Sequence, residues 1–300
     1  IDKNIPVKTI AVINTNLLHA VLVPLDSKIK SFKDFKGSNP PATIGIVTGS
    51  SAEFYIQAAA KANGIEIGKD IILKNMPPGE QMAMPKGIDA VVPWDPTPTI
   101  MVKERKNARI ISDSFPYNIY EGTFYVRQEV IDNAPDVVQA FTDAIAEATL
   151  WIRKNPDAAV DVMQEDPNLK NYSKEILRQQ ITAYNLLYKP NYIYPIPVFW
   201  GRANEPIYTW LYESKRIQNK LTGIDFARAV DTRFMDKTFE KLGWATTTRP
   251  PFLPATWTAP MDKTPYPTYM NPLNTTTPQA FPEKGDLTRD WSYDGKTYKK

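Results

Sequence analysis

The sequence contains no cysteine, which excludes disulfide bonds, thiolate catalysis and cysteine metal ligands within these 300 residues. It contains a single histidine, His19, so a histidine-rich metal site is excluded as well, and we expect neither a metal nor a cofactor. No apolar run approaches the ~20 residues that a membrane-spanning helix requires. The net charge is only +3 and no run of five basic residues occurs, so we expect no nucleic-acid partner.

The remaining composition describes a soluble globular protein with enough material for about two domains. Apolar residues make up 42% of the chain and charged residues 23%. The chain opens at Ile1 rather than Met, without a signal-like segment, so we expect it to be processed, truncated or incompletely built. The absence of cysteine suits an exported protein without requiring export.

The stretch Thr43–Ala62 predicts a strand, a Gly-Ser turn and a helix in direct succession. Strand-forming residues lead into Gly49 and Ser50, and an Ala-rich run without Gly or Pro follows. Ser50 or Ser51 can cap this helix, and Glu53 in its first turn suits the helix dipole. Backbone N–H groups at a helix start can bind an anion, so we predict ligand contacts from Gly49, Ser50 and Ser51. An ordinary capped helix that binds nothing explains the stretch equally well.

Short apolar strands alternate with helical segments up to about residue 127. This alternation predicts an α/β protein with mainly parallel sheets covered on both faces. From residue 128 amphipathic helices dominate, beginning with a long helix over Pro135–Lys154. Residues 246–300 contain nine prolines among scattered aromatic residues, which predicts an extended arm that packs on its own domain or on a neighbouring subunit. In this arm we expect burial of Trp257, Tyr266, Tyr269 and Phe281.

Further candidate ligand contacts follow predicted strands. Trp94 and Asp95 end one strand, and ligands of open α/β sheets lie beyond the carboxyl ends of strands. Trp94 could instead be a core residue, and Asp95 could only fix its own turn. Asn14 also follows a strand and could face a cleft, with loop capping as the alternative. Glu53 would repel an anion, so it either turns away or meets a cationic or hydroxyl group. His19 has no recognisable serine partner, so we expect a structural role for it and predict no catalytic residue.

The order and spacing of several motifs resemble the substrate-binding proteins of ABC importers for sulfonates, nitrate, taurine and related compounds. In that family an Asp-Leu-Lys-Gly element precedes a strand, and a Gly-Ser turn opens a helix. A helix that begins with proline follows, then a strand that ends in a Trp-x-Pro motif, and later the strand by which the chain returns to the first lobe. The matching segments here are Asp34–Gly37, Gly49–Ser51, Pro78–Met84, Gly87–Pro96 and Phe124–Val126.

The resemblance implies a type II periplasmic-binding-protein fold with two lobes. Residues 1–19 and 128–245 would belong to one lobe, residues 20–127 would form the other, and residues 246–300 would be the arm. It further implies a non-enzymatic protein that captures a small organic solute, anionic or aromatic, between its lobes. The protein would deliver that solute to the membrane subunits of an importer, in a periplasmic or other extracytoplasmic location. Members of the family begin with strand and helix elements that this sequence lacks.

The same residues are also compatible with two other classes of function. The fold also hosts enzymes, among them thiamine-pyrimidine synthases and a cysteine-dependent aromatic sulfinate desulfinase. An enzyme acting on an aromatic or heterocyclic substrate would then carry its catalytic residues in the missing N-terminal part. A third possibility is a subunit of a larger assembly, such as a homo-oligomer held together by the C-terminal arm.

Overall fold

The computed structural model describes residues 2–14, 19–114, 117, 122–183, 193–242, 291–293 and 296–298. The chain divides into two compact units. We call residues 19–114 with residue 117 the sheet unit. Residues 2–14, 122–183 and 193–242 form the helical unit, to which the described residues after 290 also belong. Within these ranges no helix is both long and apolar enough to cross a bilayer.

Strands dominate the first part of the chain and helices the second. The strands are β1 (Val7–Asn14), β2 (Ala20–Pro24), β3 (Ala42–Ile46), β4 (Ile71–Asn75), β5 (Ala90–Val91), β6 (Ala108–Asp113), β7 (Gly122–Arg127), β8 (Trp291–Tyr293) and β9 (Lys296–Tyr298). The helices are α1 (Ser51–Asn63), α2 (Pro78–Gln81), α3 (Thr97–Thr99), α4 (Gln128–Asn133), α5 (Pro135–Lys154), α6 (Pro156–Glu165), α7 (Lys174–Ala183), α8 (Pro197–Glu213), α9 (Gly223–Arg228) and α10 (Arg233–Leu242).

The sheet unit is built on a mixed sheet with the strand order β4-β3-β5-β2-β6. Strand β3 pairs in parallel with both β4 and β5, whereas β2 pairs antiparallel with β5 and β6. The predicted α/β class is confirmed, and within this sheet of the described residues the parallel pairs are β3 with β4 and β3 with β5. Apolar runs predict that a segment is a strand without revealing its direction. The antiparallel strands β2 and β6 are those by which the chain enters and leaves this unit.

Helix α1 packs on this sheet because its apolar residues recur along one side. Tyr55, Ile56 and Ala59 are fully buried, and they share one cluster with Ile44 of β3. Burial of each large apolar side chain contributes roughly 1.5–3 kcal/mol. Gly64 ends the helix at φ +64°, a left-handed conformation that glycine adopts without strain. This packing fixes the position of the turn between β3 and α1.

The helical unit contains a two-stranded antiparallel pairing of β1 with β7, in which Val7 lies opposite Arg127. Strand β7 thus lies in the helical unit together with β1, and the lobe boundary near residue 127 stays a prediction. A short apolar strand pattern does not specify which sheet the strand joins.

Asp143 lies where α5 and α10 pack against each other. Its carboxylate accepts hydrogen bonds from Thr238 Oγ1 at 2.6 Å and from Gln139 Nε2 at 3.0 Å, and it forms an ion pair with Lys241. Burial raises the pKa of Asp143, but the hydrogen bonds from Lys241, Thr238 and Gln139 together hold that pKa below its ordinary value. The ionised carboxylate therefore stabilises the contact between the two helices.

We expect the variant Asp143→Asn to lose less stability on acidification than the wild type. A carboxyl group whose pKa is lowered by folding stabilises the folded state above its unfolded pKa of about 3.9, and this contribution disappears as the pH falls through the folded pKa. Urea unfolding near neutral pH and at about pH 3 measures the difference. Glu240→Gln removes an exposed carboxylate from α10 and should behave like the wild type. Identical pH dependence in Asp143→Asn and the wild type would contradict this role.

The predicted C-terminal arm, residues 246–300, lies outside the described residues except for β8 and β9. These two short strands pair antiparallel, with Trp291 opposite Tyr298. The predicted burial of Trp257, Tyr266, Tyr269 and Phe281 concerns residues outside the described ranges and stays a prediction.

Candidate functional site

The turn between β3 and α1 places the side chain of Ser50 at the start of the helix. Ser50 Oγ accepts a hydrogen bond from the Ala52 N–H at 3.2 Å and donates one to the Val47 carbonyl at 2.7 Å. Gly49 adopts φ +83° in this turn, a left-handed conformation that favours glycine. The prediction of a serine cap is therefore confirmed for Ser50, and Ser51 is the first residue of the helix.

Glu53 turns its carboxylate back toward the same helix start. The residue is 6% exposed, and its Oε2 accepts a hydrogen bond from the Gly49 N–H at 2.6 Å. Its Oε1 accepts one from Gln57 Nε2 at 3.0 Å. The carboxylate thus accepts the hydrogen bond of one N–H group that a bound anion could otherwise use. The backbone N–H of Ser51 donates to no acceptor in the described part of the chain, so this donor is available to a ligand.

Ser51 and His19 form a hydrogen-bonded pair. Ser51 Oγ lies 2.9 Å from His19 Nε2, and the imidazole tautomer decides which of the two donates. His19 is fully buried. This serine partner was not recognisable in the sequence, because residues far apart in sequence meet through the sheet: His19 precedes β2 and Ser51 follows β3. The separation of the two residues in sequence does not predict this contact.

Trp94 lies beside the same pair. Trp94 and His19 form an antiparallel backbone bridge, and their ring centroids lie 6.2 Å apart with an interplanar angle of 59°. Trp94 follows β5 and Ser51 follows β3, so both lie beyond the carboxyl ends of two neighbouring parallel strands. This edge is where open α/β sheets bind their ligands. We call Ser51, His19 and Trp94 the Ser51 cluster.

Two other predicted contact residues are not members of this cluster. Asp95 is 2% exposed, and its Oδ1 accepts hydrogen bonds from Thr99 Oγ1 at 2.7 Å and from the Thr99 N–H at 3.3 Å. This geometry favours the alternative in which Asp95 fixes its own turn. Asn14 ends β1 in the helical unit, and its side chain lies outside the described residues.

The Ser51 cluster combines hydrogen-bonding groups with an aromatic ring. Ser51 offers a hydroxyl and a backbone donor, His19 orients that hydroxyl, and the half-buried Trp94 offers ring surface. Among the residues that the structure describes, no three His, Asp or Glu side chains are grouped as metal ligands would be. The cluster can therefore hold a small ligand by hydrogen bonds and ring contact.

The chain has the fold of the periplasmic solute-binding proteins. It aligns with the periplasmic aliphatic sulphonate binding protein SsuA from Escherichia coli at a TM-score of 0.61, with 17% identity over 75% of this chain and 70% of that chain. The chain also aligns with the desulfurization enzyme DszB, solved as a Cys-to-Ser variant in complex with biphenyl-2-sulfinic acid, at a TM-score of 0.56. The identity is 13%, over 79% of this chain and 80% of that chain. At such identities the likeness establishes the fold and not the activity.

The chain belongs to the NMT1/THI5-like family, whose model matches residues 1–159. A Brucella abortus (strain 2308) protein, named as a candidate binding protein, is 28% identical over 138 residues. That match covers 44% of this chain and 42% of the Brucella protein, so it spans less than half the length of this curated relative. The family resemblance predicted from the motifs is confirmed.

Proposed function

We propose that this protein is the solute-binding component of an ABC-type importer. It captures a small organic solute, anionic or aromatic, and delivers it to membrane subunits from an extracytoplasmic location. The observation that carries this proposal is the Ser51 cluster beyond the carboxyl ends of β3 and β5. Membership of the NMT1/THI5-like family supports it, as does the fold shared with the periplasmic sulphonate binding protein of Escherichia coli.

Each residue of the cluster has a distinct role in this proposal. The Ser51 N–H and hydroxyl donate hydrogen bonds to a polar group of the solute, and His19 holds the hydroxyl in place. Trp94 contacts an apolar or planar part of the solute. Gly49 and Ser50 shape the turn that presents these groups, while Asn14 remains a predicted contact at the end of β1.

We expect Ser51→Ala to weaken solute binding by about 1–3 kcal/mol, because a charge-assisted hydrogen bond to the solute is lost. The cap at Ser50 remains intact in this variant, so the helix keeps its start. Calorimetric titration with taurine, ethanesulfonate, nitrate and benzenesulfinate measures the change for each solute that binds. Ser38→Ala, which removes a partly exposed serine hydroxyl elsewhere in the sheet unit, is the control. Unchanged affinity in a folded Ser51→Ala variant argues against the site.

The hydrogen bond between Ser51 and His19 also favours a second candidate, an enzyme on the same scaffold. In such an enzyme His19 would accept the proton of Ser51 as this hydroxyl attacks an electrophilic substrate. That transfer would create a positive charge on a fully buried ring, which burial disfavours.

We therefore expect a fluorophosphonate probe to leave Ser51 unmodified. Intact-mass spectrometry after prolonged incubation checks this, with Ser51→Ala as the matched control. A single adduct that forms on the wild type and is absent from Ser51→Ala would replace the transport proposal with the enzymatic one.

A further inference from the structure

We propose that the helical unit carries a second small-molecule site, which binds an aromatic anion in a cavity beside the N-terminal half of β1. The cavity has a volume of about 680 Å³, within the range of about 300–1,000 Å³ typical of ligand sites. Residues Asn4–Thr9 form one wall and the last turn of α9 forms another. The cavity shares no residue with the Ser51 cluster, and it lies at the end of β1 remote from Asn14.

Backbone pairing and close helix packing build the walls of this cavity. The Thr9 N–H donates to the Ala229 carbonyl at 2.8 Å, and the Asp231 N–H donates to the Thr9 carbonyl at 2.9 Å. The segment after α9 is therefore held along β1. Helix α9 also packs tightly on α8, where Gly201 meets Gly223 backbone to backbone. These contacts keep the cavity walls in place without a ligand.

Aromatic side chains supply a surface suited to a planar ring. Tyr125 of β7, Tyr208 of α8 and Phe226 of α9 all line the cavity. Tyr125 is 67% exposed, and the other two rings are only partly buried. A planar ligand inserted among them would cover apolar ring surface that water now contacts.

The charged groups of the lining select for an anion. The Asp225 carboxylate already accepts hydrogen bonds from the Thr222 N–H and Oγ1, each at 2.8 Å. Lys8 Nζ donates to the Arg228 carbonyl at 2.6 Å. The exposed Arg228 guanidinium interacts electrostatically with Asp225 but makes no hydrogen bond to any described residue, so its planar set of donors can bind a carboxylate or sulfonate. Two cations against one carboxylate leave the lining with a net positive charge.

Naphthalene-2-sulfonate is a suitable probe because it joins a planar ring system to a single negative charge. Its affinity for the full chain can be measured by calorimetry, with the neutral naphthalene-2-sulfonamide for comparison. We expect saturable binding of the sulfonate, at least about tenfold tighter than that of the sulfonamide, and a loss of about tenfold in Arg228→Gln. Tyr125→Ser should weaken both compounds, because ring contact is lost.

Two controls separate this site from the proposed solute site. Arg105→Gln removes an exposed arginine of the sheet unit and should leave sulfonate binding unchanged. The Ser51 cluster would also accept an aromatic sulfonate under the proposed function, so Ser51→Ala should weaken only binding at that cluster and leave the Arg228-dependent binding event unchanged. Equal binding of sulfonate and sulfonamide, or full affinity in a folded Arg228→Gln variant, overturns the inference. Loss of all sulfonate binding in Ser51→Ala, including the Arg228-dependent event, instead overturns the second site while supporting the proposed function. If Ser51→Ala binds the solutes of the proposed function with unchanged affinity and Arg228→Gln loses sulfonate binding, the results support the second site and not the solute site.

Discussion

Gly201→Ala destabilises the helical unit by about 1–3 kcal/mol or more, the range expected when a methyl group is forced into a packed contact. An ideal Cβ on Gly201 would overlap the carbonyl oxygen of Gly223, and a Cβ on Gly223 would lie 2.8 Å from the carbonyl carbon of Gly201. Both clashes are with backbone, which cannot rotate away as a side chain can. Helices α8 and α9 would have to separate, and the wall that α9 forms around the cavity would move with it.

Urea unfolding of Gly201→Ala against the wild type measures this effect. Gly79→Ala is the control, because a Cβ at Gly79 meets nothing within 4 Å. The control substitution should change the free energy of unfolding by far less. Wild-type stability in Gly201→Ala would show that the two helices do not approach each other at these glycines.

Tyr55→Ala should cost about 3–5 kcal/mol, as do other substitutions of large buried aromatic residues by alanine. Tyr55 is a fully buried residue of α1 and donates a hydrogen bond from its hydroxyl to Ser112 Oγ at 2.8 Å. Its ring also stacks on Tyr117 with centroids 6.1 Å apart. The substitution would leave a cavity beneath the helix that presents Ser51, so solute binding should weaken along with stability.

Tyr55→Phe separates the two contributions of this residue. It keeps the ring and removes only the hydroxyl, so we expect a loss of about 1 kcal/mol, the usual net value of one hydrogen bond. Guanidinium unfolding of both variants provides the comparison. A loss in Tyr55→Phe as large as that in Tyr55→Ala would mean that the hydrogen bond, and not the packed ring, holds α1 on the sheet.

Local chemistry predicted the parts of the site that depend on neighbouring residues. The Gly-Ser turn, the cap at Ser50 and the helix that ends before Gly64 all follow from residue type and short spacing. The pairing of Ser51 with His19 could not be predicted in this way, because it depends on the order of strands in the sheet. That order is set by tertiary packing, which local patterns do not encode.

The direction of the strands could not be predicted for a related reason. Strands β2 and β6 contain the same apolar residue types as the parallel strands, yet both run antiparallel to their neighbours. The pairing of β7 with β1 likewise joins strands that are far apart in sequence. The charge of Glu53 alone did not predict its partner, because its carboxylate accepts a hydrogen bond from the Gly49 N–H within the protein.

Calorimetric titration of the purified chain with taurine, ethanesulfonate, nitrate and benzenesulfinate, combined with chromatography of each mixture, tests the proposed function most directly. The account predicts saturable binding of at least one of these solutes, an affinity that falls in Ser51→Ala but not in Ser38→Ala, and recovery of the solute unchanged. Absence of binding by all four solutes, or steady conversion of any of them into a product, would contradict it.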